Sequence, residues 1–232
     1  DSDYDVRFIY VRPVEQYLKI HPGRDVIECK PGGDLDLSGW DLRKALGLLK
    51  KSNPPLLEWF KSPTVYTQYP QVVEQIRRII PDYYSPRSCF FHYLHMAKRN
   101  HKEYLKGRHV WLKKYFYVLR PVLACMWIER GYGDVPMEFE KLTDRLVAIG
   151  SNLDAEILKL VYRKRRGDEL DRGDAIPEIS EFLDFHIDRL SGYSTTHLST
   201  STRQSTAALD RVLRSAIIQI YGARIPEDVE EG

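Results

Sequence analysis

The chain has 232 residues, 43% of them hydrophobic and 29% charged, with a net charge of +2. That composition supplies a core for one large or two small domains and excludes a whole-molecule field for polyanions, so any nucleic-acid site has to be a local patch. The three cysteines, Cys29, Cys89 and Cys125, are odd in number and widely spaced, which fits neither a disulfide framework nor a zinc pattern and points to a reducing cytoplasm.

The first predicted element is a strand over 4–11, because Val6 to Val11 is rich in β-branched and aromatic residues and stops before Arg12-Pro13. Asp3 and Asp5 stand two apart at its start and therefore project from one face. Strands over 25–29 and 34–37, set off by Pro-Gly and Gly-Gly turns, complete a small mixed sheet. A neighbouring strand lies about 5 Å away, so Asp36 is placed to join Asp3 and Asp5. Three packed carboxylates repel one another unless cations sit between them, and hard oxygen ligands favour Mg²⁺ carried in with substrate phosphates. This is the two-ion arrangement of phosphoryl and nucleotidyl transfer. A calcium loop starting at Asp1 fails, since Val6 and Arg12 stand where it needs Gly and Glu.

Helices follow. Leu42, Ala45, Leu46 and Leu49 share one face of a helix that begins at Asp41. Asn53-Pro54-Pro55 ends it and caps a second helix over Leu56 to Phe60. Val65-Tyr66 suggests a short strand and Gln71 to Ile80 another helix. Further helices are predicted over 86–105, 109–130, 137–149, 152–165, 178–190 and 207–220. The longest apolar run, Tyr115 to Ile128, is broken by Arg120 and too short to span a membrane. The Ser/Thr-rich stretch from Ser191 to Thr206 reads as a linker.

Between Lys98 and Arg120 the chain carries eight Lys or Arg residues against one acid, Glu103. Lys113, Tyr117 and Arg120 follow i, i+4, i+7 spacing and share a helix face, which can hold a triphosphate and stack a base. The alternative, in which the lysines solvate a surface helix and Tyr117 packs inward, stays open. His92 and His95 belong to no metal motif. The run Arg163-Lys164-Arg165-Arg166 reads as a solvated helix end, and the hydroxyls of Ser194 to Ser205 have no His-Asp pair to activate them.

Ser2-Asp3-Tyr4-Asp5-Val6, the later Asp36, and the run from Asp36 through Trp40 and Asn53-Pro54-Pro55 to Trp59 resemble the polymerase-beta-type nucleotidyltransferases. More narrowly they resemble the RNA repair pathway DNA polymerase beta family, over Asp1 to about Leu190. The resemblance implies an α+β fold: a small mixed nucleotidyltransferase sheet with flanking helices, followed by an α-helical domain. The implied organisation is a catalytic core over 1–82, a helical substrate-binding domain over 83–190, a linker over 191–206 and a terminal helix and tail over 207–232. It implies transfer of a nucleoside monophosphate from an NTP to a hydroxyl, with two Mg²⁺ ions on Asp3, Asp5 and Asp36. Lys113 and Arg120 are then expected to neutralise the triphosphate and Tyr117 to contact the nucleoside, with an RNA end as one acceptor. The superfamily's Gly-Ser turn, about ten residues before its Asp-x-Asp, has no counterpart here, and the chain opens on Asp1, so that segment is expected upstream. Two alternatives stand beside this reading. One is an enzyme that places a nucleotide on a partner protein, as in toxin–antitoxin systems. The other is a catalytically inactive nucleotide-binding or scaffold protein.

Overall fold

The computed structural model describes residues 4–30, 32–33, 35–168, 170–200 and 205–222. In chain order the elements are β1 (Tyr4–Tyr10), α1 (Val14–Tyr17), β2 (Val26–Cys29), β3 (Leu35–Asp41), α2 (Leu42–Lys50), α3 (Pro54–Trp59) and α4 (Pro70–Tyr83). They continue with α5 (Pro86–Tyr104), β4 (His109–Trp111), α6 (Lys114–Glu129), α7 (Phe139–Leu146), α8 (Asn152–Arg165), β5 (Arg172–Asp174), α9 (Pro177–Ser191) and α10 (Ala207–Tyr221). The fold is α+β, and the chain divides into two compact units. One runs from Ser85 to Thr200, and the other joins the residues before Ser85 to those after Thr200.

The sheet-bearing unit is built on three strands in the order β1-β3-β2, with β1 parallel and β2 antiparallel to β3. β3 is longer than its first three residues suggest, because Ser38-Gly39-Trp40-Asp41 continues the ladder. Gly39 is what permits this. A Cβ there would lie 2.2 Å from the Phe8 ring, which crosses over it from the partner strand. Asp41 then ends the strand and caps α2, accepting from the Arg43 amide at 2.8 Å. The expected apolar face of α2, Leu42, Ala45, Leu46 and Leu49, is buried. Asn53 caps α3 by accepting from the Leu56 amide at 3.2 Å, and Trp59 stacks on Trp40 with ring centroids 3.8 Å apart. Helix α10 belongs to this unit and packs on α2 and α4.

The helical unit wraps around α6, which is apolar on nearly every side. Tyr115, Val118, Leu119, Val122, Leu123 and Cys125 are all fully buried. Ser85 caps α5 by accepting from the Ser88 amide at 3.1 Å.

Two predicted elements are corrected. The helix expected from 109 begins only at Lys114, because Gly107, at φ +102°, turns the chain and His109–Trp111 pairs with Arg172–Asp174 as a two-stranded ribbon. A Cβ on Gly173 would sit 2.9 Å from Leu112 Cδ1, so glycine lets the ribbon lie flat on the core. Val65 and Tyr66 form no strand and are exposed. No helix among the described residues is long and apolar enough to cross a membrane.

Candidate active site

Parallel pairing of β1 with β3 sets Asp5 directly opposite Asp36. Opposed residues on neighbouring strands project to the same face about 4.8 Å apart, so the backbone ladder itself makes these two carboxylates neighbours. Their side chains are 67% and 32% exposed, open to a ligand from solvent.

Arg7 follows Asp5 by two residues and so shares its face. One guanidinium nitrogen donates to Asp5 Oδ1 at 3.0 Å and the other to Asp36 Oδ1 at 3.4 Å. Lys30 Nζ lies 3.6 Å from Asp36 Oδ2. Two anions are therefore balanced by two cations. The alternation Asp5-x-Arg7 on a strand was the signal that could have found Arg7 in the sequence.

Asp3 lies outside the described residues. Among those that are described, no group of three or more His, Cys, Asp or Glu is arranged to hold a metal. The donor chemistry of the Asp5–Asp36 pair nevertheless suits a hard divalent ion, since both offer carboxylate oxygens at a solvent-open face.

Below this face the polar groups are structural. Arg12 Nε pairs with Asp41 Oδ2 at 3.1 Å. The Tyr17 hydroxyl accepts the Arg12 amide at 3.2 Å and is pushed up to about 12, mainly by burial, so it stays protonated.

The helical unit carries the other predicted residues. Lys113 is exposed just ahead of α6, and its amide donates to the Leu170 carbonyl at 3.0 Å. Tyr117 is 47% exposed, and the cation on its ring is the Lys114 ammonium at 4.3 Å. Arg120 turns to the segment before α7, donating to the Met137 carbonyl at 2.7 Å and the Pro136 carbonyl at 3.2 Å. The cation on the Tyr117 ring thus comes from Lys114, the residue after the predicted Lys113.

A carboxylate pair suited to a hard divalent ion does not by itself name a reaction; comparison with known proteins narrows it. The profile of the RNA repair pathway DNA polymerase beta family matches residues 1–215. The chain belongs to that family. It is also similar to the uncharacterized protein YcgL of Bacillus subtilis (strain 168), with 46% identity over 221 residues, covering 95% of this chain and 84% of that protein. No solved structure gave a significant match. Membership of the RNA repair pathway DNA polymerase beta family points to nucleotidyl transfer, a class of reaction that uses an NTP and divalent metal.

Proposed function

We propose that the protein is a Mg²⁺-dependent nucleotidyltransferase that moves a nucleoside monophosphate from an NTP to the hydroxyl of an RNA end. The observation that carries the proposal is the in-register pairing of Asp5 with Asp36 on one open face of a parallel strand pair. Family membership supports reading that pair as the metal-holding carboxylates.

In this reading Asp3, Asp5 and Asp36 hold the ions. When bound, Mg²⁺ would supply the positive charge that the triphosphate and the attacking oxygen need. Asp36 orients the acceptor hydroxyl and takes up its proton as the oxygen bonds to the α-phosphorus and pyrophosphate leaves.

Incubation of the purified full-length protein with an α-phosphorus-labelled NTP and RNA tests the proposal. Asp5→Asn and Asp36→Asn should each lower label transfer by at least about 100-fold, the lower end of what a positioned acid or base contributes. Their melting temperatures should barely move, because exposed ion pairs contribute only about 0–1 kcal/mol. Undiminished transfer in either variant would remove the carboxylate pair from the mechanism.

A further inference from the structure

The helical unit presents a second feature that the transfer reaction does not by itself require. Strand β4 alternates outward and inward, with His109 and Trp111 exposed and Val110 buried. The alternation continues through buried Leu112 to exposed Lys113. Trp111 is 41% exposed, and its cross-strand partner Arg172 sets a guanidinium over the indole at 5.5 Å. Three residues further on, the Lys114 ammonium is held between two rings, 4.6 Å from that of Tyr104 and 4.3 Å from that of Tyr117. Glu103 hydrogen-bonds the Tyr104 hydroxyl and raises its pKa, while Arg99 acts on the same hydroxyl in the opposite sense. Among the described residues, Arg99, Lys113, Lys114 and Arg172 have no carboxylate partner. Arg189 and Arg165, by contrast, pair with Glu129 and Glu140.

We propose that this face binds single-stranded RNA. The open side of the Trp111 indole stacks a base, and Arg99, Lys113 and Lys114 meet the phosphates around it. Unpaired single strands are recognised by aromatic stacking combined with a basic track. The size of the surface selects a strand over one nucleotide. Trp111 and Lys114 are three residues apart, so their Cα atoms are separated by at most about 10 Å, a span of about three stacked nucleotides at ~3.4 Å each. An acidic peptide would satisfy the cations but leave the indole in water. The inference rests on the proposed function only for what the strand does once bound, namely present its end as acceptor.

Anisotropy of a fluorescent single-stranded RNA of mixed sequence, titrated with the full-length protein, tests it. Trp111→Ala should weaken binding by about 5- to 100-fold, the range of one lost base–aromatic stack, and Trp111→Phe should restore most of that loss. Lys114→Gln should lower affinity and reduce the slope of log affinity against log salt by about 0.7, the contribution of one phosphate contact to a single strand. Wild-type affinity in Trp111→Ala and Lys114→Gln would overturn the proposal. So would an equal loss of ATP affinity in Trp111→Ala, which would make this a mononucleotide subsite, or poly-glutamate competing as well as unlabelled RNA. Asp36→Asn should bind RNA as wild type does. RNA binding through this face without any nucleotide transfer by the wild type would defeat the proposed function and leave this inference standing.

Discussion

An arginine that bridges two carboxylates competes with any other cation those carboxylates could take. Arg7 does this for Asp5 and Asp36. Removing it should leave two neighbouring anions with only Lys30 nearby, and their mutual repulsion is relieved by a divalent ion. Arg7→Ala is therefore expected to bind Mn²⁺, a spectroscopic probe for Mg²⁺, about 2- to 30-fold more tightly than wild type. That range follows from two part-exposed ion pairs at about 0.2–1 kcal/mol each. Electron paramagnetic resonance of free Mn²⁺ measures it without any turnover. Weaker binding in Arg7→Ala would mean that the guanidinium props the carboxylates into place for the metal. Lys30→Ala should have the smaller effect, since its ammonium is 81% exposed and farther from its partner.

The elements differ in how plainly their sequences announce them. At β3 the decisive fact is a missing side chain. Gly39→Ala puts a methyl group into the space of the Phe8 ring, and overpacking of this kind costs about 1–3 kcal/mol. In a Phe8→Ala background the same substitution should cost almost nothing, so a double-mutant cycle of denaturant midpoints should show strong coupling. Additive effects would mean that the ring is not what excludes the methyl. Glycine weakens a strand reading, and the predicted strand stopped at 37 although Ser38-Gly39-Trp40 pairs along its length. By contrast β1, β2 and most of the helices were legible, because seven alternating residues or four apolar residues on one helical face carry a period. β4 and β5 have three residues each, too few for a period, and each is held by a partner some sixty residues away. The same limit applied to the site. Asp5 and Asp36 could be read because both lie in recognisable strands, whereas Arg172 beside Trp111 is a product of that long-range pairing. Spacing placed Arg120 in line with Lys113 and Tyr117, but spacing is blind to the Pro136 and Met137 carbonyls that it binds.

At the scale of the molecule, two histidines in the helical unit give it a defined response to acid. Burial lowers the pKa of His101, Lys106 lowers it further, and Asp184 opposes the shift. His186 is lowered by burial and by Arg189 and Arg130, against Glu129. Both folded values lie below the ordinary 6.5, so around and below that pH the unfolded chain binds protons that the folded chain refuses. Their contribution to stability is complete above about pH 6.5 and is lost as pH falls through the folded values. Thermal melts should accordingly hold steady from about pH 7.5 to 7 and decline below about 6.5, ahead of the carboxylates. The double variant His101→Gln, His186→Gln should flatten that first decline. An identical profile in the double variant would place the acid sensitivity elsewhere.

The sheet-bearing unit is closed by a helix that arrives late in the chain. Residues of α10 pack on α2 and α4, the Tyr221 hydroxyl donates to the Val11 carbonyl at 2.7 Å, and the Tyr83 hydroxyl donates to the Ser205 carbonyl across 122 residues of sequence. On a ribosome that adds about 5–20 residues each second, those 122 residues take about 6 to 24 s. Throughout that interval the strands bearing Asp5 and Asp36 are already made while the helix that completes their unit is not. The helical unit, continuous from Ser85 to Thr200, can be finished first. The sheet-bearing unit is thus completed after the helical one, and a nascent chain can hold a folded helical unit for many seconds before the strands bearing Asp5 and Asp36 have their closing helix.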